Sequence, residues 1–178
     1  MSPMSPTSPL DQHSTVAVIG AGAMGAGIAQ VAASAGHPVA LVDVVPGAAE
    51  QAVARIIGGL QRQEAKGRIS SAQLEEIVER ISPAETVSGL PAAGLVIEAV
   101  REELAIKQAL FRQLAQTQSP DTVLATNTSS LDIAAIADGI PDPGRVIGRA
   151  CWTPLSPVCL RCSRRRRCCS CSSVSSTG

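Results

Sequence analysis

TVAVIGAGAMGAGIAQVAASAGHPVALVD, residues 15–43, decides the fold. Its first six residues are a β-branched apolar run that ends in glycine, the pattern of a buried strand. Ala23–Gly36 reads as a helix with a glycine stop, and Pro38–Asp43 as a second buried strand. A strand, a helix and a strand in so short a span make a βαβ unit, which implies a parallel sheet and a right-handed crossover.

Between the first strand and the helix stands GAGAMG, with Gly20, Gly22 and Gly25 in G-x-G-x-x-G spacing. Gly20 permits the tight turn, Gly22 lets a pyrophosphate sit against bare backbone, and Gly25 lets the helix pack closely. Ala23 and Met24 open the helix, whose free N–H groups and positive dipole end favour phosphate. Asp43 closes the second strand eighteen residues after Gly25. A carboxylate there accepts hydrogen bonds from both hydroxyls of an adenosine ribose and repels a 2′-phosphate. No arginine follows it in DVVPG, so the expected cofactor is NAD rather than NADP. The competing reading, a plain tight turn and a solvated strand end, does not account for the whole βαβ context.

The same alternation continues. A helix is expected from Pro46 to about Lys66, and a second over Ser71–Ile81 with a Ser70/Gln73 capping box. ISPAET (81–86) reads as an edge strand, GLVIEAV (94–100) as a strand and REELAIKQALFRQLAQTQ (101–118) as an amphipathic helix. TVLATN (122–127) is a strand, LDIAAIAD (131–138) a short helix, and GRVIG (144–148) starts one more strand. The expected class is α/β: a doubly wound, Rossmann-type parallel sheet with an inserted helical hairpin. With Phe111 and Trp152 the only aromatics, its core must be built from Val, Ile, Leu and Ala.

Composition excludes several function classes. Residues 1–148 carry nine basic and fifteen acidic side chains, a net charge of −6, which gives no reason to expect a nucleic-acid partner. They contain no cysteine, as suits a reducing compartment. No apolar run approaches the ~18 residues of a membrane span. The start, MSPMSPTSPLDQHS, lacks the regions of a signal peptide, and residues 1–13 read as a disordered leader. The expected location is cytoplasmic, with no membrane partner.

VAVIGAGAMGAGIAQVAASAGHPVALVD, LVIEAVREELAIKQALF and LATNTSSLDI, taken in this order, resemble the NAD-binding domain of the 3-hydroxyacyl-CoA dehydrogenases. The bacterial 3-hydroxybutyryl-CoA and 3-hydroxyadipyl-CoA enzymes are nearest in pattern. The likeness covers about residues 14–148. It implies oxidation of the 3-hydroxyl of an acyl-CoA, with hydride passed to NAD. It also implies that Glu102 and Lys107 contact the nicotinamide end of the cofactor. Asn127 and Ser129 match residues beside the nicotinamide and the substrate oxygen. Lys66 matches a basic residue for coenzyme A, within a helical hairpin like the family's, while Gly59 departs from a nearby serine of some relatives. Read without the resemblance, NTSS would cap the following helix. Glu102 and Glu103 would be first-turn acids, and Lys107 the i+4 partner of Glu103.

The family pattern breaks after RVIG. The family continues Leu-His-Phe-Phe-Asn-Pro, and its histidine is the general base. This chain continues Arg149, Ala150, Cys151, Trp152, Thr153, Pro154, with Ala150 in the histidine's place. The remaining histidines are His13, in the leader, and His37, in a turn at the amino ends of the strands, where neither reaches the nicotinamide. The family's C-terminal helical domain, through which relatives dimerise, is absent from the sequence. All six cysteines and the run Arg164–Arg167 fall in residues 149–178. A Cys159/Cys162 pair hints at a metal module, but Cys168, Cys169 and Cys171 do not supply a second clean pair, so no metal site is expected. The abrupt change of composition inside a required strand reads instead as an out-of-frame or otherwise erroneous continuation, disordered in structure. Two outcomes stay open: a dehydrogenase represented by its cofactor domain, or a catalytically dead NAD-binding chain.

Overall fold

The computed structural model describes residue 11 and residues 13–148. Each apolar run marked as a strand forms one: β1 (Val16–Ile19), β2 (Val39–Val42), β3 (Ile81–Ala84), β4 (Leu95–Glu98), β5 (Val123–Thr126) and β6 (Val146–Gly148). Between them lie α1 (Ala23–Ser34), α2 (Ala48–Glu64), α3 (Ser71–Glu79), α4 (Leu104–Thr117) and α5 (Ile133–Ile136). The six strands form one all-parallel sheet in the order β3-β2-β1-β4-β5-β6.

This order puts a topological switch point between β1 and β4, where the chain leaves one half of the sheet for the other. The loops that follow these two strands diverge and open a crevice at their carboxyl ends. The register sharpens it. Ile19 stands level with Val42 on one side and Glu98 on the other, and Glu98 with Thr126. The next residues of each chain segment therefore emerge along one edge, carrying Gly20, Asp43, Glu102 and Asn127.

Successive side chains of a strand point to opposite faces, and the core divides accordingly. Val16, Val18, Leu41 and Ile97 face α1, α2 and α3. Ala17, Ile19, Val42, Val96 and Leu124 face α4 and α5. On α2, Ala49, Ala52, Ile56 and Leu60 form a buried stripe at helical spacing. The first face holds no aromatic side chain, while Phe111 and Leu114 of α4, both closed to solvent, fill the second.

Every helix is shorter than the sequence reading, and three of the differences have a clear local cause. α2 starts at Ala48 because Gly47 takes a left-handed φ of 77° that ends the Pro46 turn. α4 starts at Leu104 because Glu103 is extended and Glu102 is drawn to another loop. α5 keeps one turn, closed by Ala137. The Ser70/Gln73 capping box forms with both of its bonds. Among the described residues no helix is long and apolar enough to cross a membrane. The expectations for residues 1–10 and 12 and for 149–178, including Ala150 and the cysteines, lie outside the described residues.

Candidate functional site

The glycine loop is shaped by what its glycines leave out. Gly20 has φ 106°, and a Cβ there would stand 2.5 Å from the Ala99 carbonyl oxygen. A Cβ on Gly25 would stand 1.7 Å from the carbonyl oxygen of Gly20, so the third glycine lets α1 close onto the turn itself. Gly22 differs: a Cβ there would meet nothing within 4 Å. It is the N-cap of α1, and no side chain caps the helix. Ala23 and Met24 follow it, exposed, on the first turn. The first amides of a helix and a bare backbone thus face open space, the cradle that a pyrophosphate needs.

Asp43 closes the other side. Its carboxylate accepts from the Ala21 N–H at 2.6 Å and from the Val45 N–H at 2.9 Å, which locks its orientation at the end of β2. The exposed Val44 and Val45 beside it offer an apolar surface next to the ribose position, a feature not anticipated from DVVPG. Arg55, also not anticipated, reaches back from α2 to donate to the Ala21 carbonyl at 2.9 Å. These groups fit an adenine dinucleotide: amides for the pyrophosphate, a fixed carboxylate for the ribose and an apolar strip for the base.

The second half of the site hangs on a carboxylate that the sequence reading passed over. Glu98 ends β4 and is fully buried. It accepts from Lys107 Nζ at 2.7 and 2.8 Å, from the Thr126 hydroxyl at 2.7 Å and from the Val100 N–H at 2.7 Å. Lys107 is 1 % exposed, and its second partner is Glu102, at 3.1 Å. The alternative reading of Lys107 as the side-chain partner of Glu103 does not hold: burial selects Glu98 and Glu102, while Glu103 leans on Arg101 at 3.6 Å. Nor are Glu102 and Glu103 first-turn acids of α4, since they precede its first residue.

Glu102 brackets the loop after β5. One of its oxygens accepts from the Thr128 hydroxyl, from the Ser129 and Ser130 N–H groups at 3.1 and 3.3 Å, and from the Ser130 hydroxyl at 3.1 Å. The Thr128 hydroxyl, with help from Lys107 and the Ser129 and Ser130 donors, outweighs desolvation and lowers the Glu102 carboxyl from 4.5 to about 2. NTSS is thus no helix cap. Asp132 caps α5, accepting from Ala134 N–H at 3.1 Å, and the NTSS turn folds around Glu102 instead.

The structure brings Gly20, Gly22, Gly25, Asp43, Glu102, Asn127 and Ser129 to one sheet edge. Asn127 is half-buried, its N–H bonded to the Glu98 carbonyl at 2.9 Å, and Ser129 is exposed. Lys66 is not part of this cluster. It lies exposed in the α2–α3 turn, beyond about 25 Å of helix from the start of α2. His37 sits in the α1–β2 turn at the opposite edge, its Nδ1 3.2 Å from the Ser14 carbonyl. Thr126 and Thr128 are further members that sequence reasoning missed; their types alone carry no signal apart from their place around the two glutamates.

Residues 15–160 match the family model for the 3-hydroxyacyl-CoA dehydrogenase NAD binding domain. The chain is 46 % identical over 144 residues to 3-hydroxyadipyl-CoA dehydrogenase of Escherichia coli, covering 81 % of this chain and 30 % of that protein. It is 41 % identical over 140 residues to a probable 3-hydroxybutyryl-CoA dehydrogenase of Bacillus subtilis, covering 79 % of this chain and 49 % of that one. The crystal structure of an Escherichia coli 3-hydroxybutyryl-CoA dehydrogenase superposes with a TM-score of 0.74 at 47 % identity, over 76 % of this chain and 29 % of the other. The chain thus spans between about a third and a half of the length of these relatives.

Proposed function

Because the chain belongs to the family of 3-hydroxyacyl-CoA dehydrogenase NAD-binding domains, we propose that it serves the NAD-dependent oxidation of a 3-hydroxyacyl-CoA to the 3-oxoacyl-CoA. The observation that carries this reading is the open face at Gly22, set beside a locked Asp43 carboxylate at the switch point of the sheet. Bound there, NAD supplies the hydride acceptor. The chain's own residues do the rest. The loop amides around Gly22, Ala23 and Met24 hold the pyrophosphate, and Asp43 holds the ribose hydroxyls and disfavours a 2′-phosphate. Glu102, its side chain 38 % exposed, faces the nicotinamide end, and Lys107 orients it from below. Asn127 lies beside the nicotinamide, and the Ser129 hydroxyl hydrogen-bonds the reacting oxygen as its charge changes. Lys66 serves the coenzyme A moiety at a distance that suits a long substrate.

The resemblance supports a second reading, NAD binding without turnover. It implies a histidine base where this chain has Ala150, and His37 lies at the opposite edge of the sheet. Purified chain titrated with NADH and then offered acetoacetyl-CoA separates the two. Saturable NADH binding with no NADH consumed supports the second reading. Consumption of NADH that depends on acetoacetyl-CoA establishes the first. Failure to bind NADH overturns both.

A further inference from the structure

The Ala21 residue is gripped from both sides by opposite charges. Asp43 takes its N–H at 2.6 Å, and Arg55 Nη2 donates to its carbonyl at 2.9 Å. These two groups belong to different peptide planes. The N–H lies in the Gly20–Ala21 plane, and the carbonyl in the Ala21–Gly22 plane. All described peptides are trans, and a trans peptide holds its C=O and N–H on opposite sides. Pinning the Ala21 carbonyl therefore fixes the direction of the Gly22 N–H, which Asp43 cannot do. That N–H meets no protein acceptor among the described residues, and Gly22 faces open space. We propose that Arg55 is a positioning residue for the cofactor: through the Ala21–Gly22 peptide it holds the Gly22 N–H toward the pyrophosphate.

The role extends the dinucleotide reading above and rests on it. Arg55 lies twelve residues past Asp43, in the second turn of α2, outside the loop where a cofactor-directed arginine is normally sought. Its fork also brings a positive charge behind the phosphate loop without occupying the cradle.

The test is NADH titration of the intact chain as wild type, Arg55→Met and Arg55→Lys, with Tm measured for each ligand-free protein. Arg55→Met keeps the apolar stem and loses the donors. It is expected to weaken NADH binding about tenfold, the scale of one hydrogen bond to a charged group, at unchanged Tm. Arg55→Lys keeps the charge and a donor and is expected to recover most of the loss. Should the Met variant not fold, Arg55→Gln is measured in its place, with weaker binding at native Tm as the expected result. Wild-type affinity in the folded variant, or a loss matched by a fall in Tm and not recovered by lysine, overturns the role. A wild-type chain that binds no NADH overturns the dinucleotide reading, and this inference with it.

Discussion

Lys107 and Glu98 form an ion pair with both side chains closed to solvent, Nζ lying 2.7 Å from one carboxylate oxygen and 2.8 Å from the other. The pair ties the last residue of β4 to the first turn of α4, and through Glu102 it reaches the loop after β5.

Breaking that pair on one side leaves an ammonium buried with half its compensation. Glu98→Gln should lower the unfolding free energy by about 3–5 kcal/mol, measured by urea denaturation. Combining it with Lys107→Met should restore much of the stability, since a neutral pair carries no stranded charge. Equal stability of Glu98→Gln and wild type would contradict the buried pair.

The three loop glycines should separate folding from binding. Gly20→Ala and Gly25→Ala drive a methyl into backbone and should lower Tm markedly. Gly22→Ala has room for its methyl in the ligand-free chain and should keep Tm within a few degrees while losing NADH affinity. A drop in Tm for Gly22→Ala as large as for Gly25→Ala would refute the open cradle.

Asp43→Asn removes the charge and leaves one amide oxygen as an acceptor. NADH should bind more weakly and the preference over NADPH should narrow, read from paired titrations. An unchanged ratio of the two affinities would count against the ribose role.

The depressed Glu102 carboxyl has a defined acid signature. Its stabilising contribution is complete above pH 4.5, where the folded and unfolded groups are both ionised. As pH falls toward about 2, the unfolded chain takes up a proton that the folded chain refuses, and the contribution fades. The stability advantage of wild type over Glu102→Gln should therefore shrink through that window. Solvent exposure keeps the effect modest, so the shape of the difference curve is the readout, not its height.

The sheet was legible because its strands are short β-branched runs punctuated by glycine and proline, and because GAGAMG sits between two of them. Asp43 was legible for the same reason: a charge ends an apolar strand at a known distance from the loop. Glu98 ends one as well, yet nothing local says that it turns inward. Its burial depends on Lys107 and Thr126, which arrive from other elements. The i+4 spacing of Glu103 and Lys107 is no guide to the partner, because a surface pair of that kind is worth only about 0.2–0.5 kcal/mol and a buried carboxylate outweighs it. Arg55 escaped notice because its contact with Ala21 spans 34 positions.

Glu102 holds three consecutive residues, Thr128, Ser129 and Ser130, although it belongs to the loop before α4. The loops after β4 and β5 therefore share one conformational freedom. When a cofactor stills the first, the second has already lost the motion that a substrate would otherwise have to arrest. A cofactor and a substrate would then bind with positive cooperativity, written partly in entropy and not in contacts alone. Slower amide exchange at residues 128–130 on addition of NADH alone would be its mark.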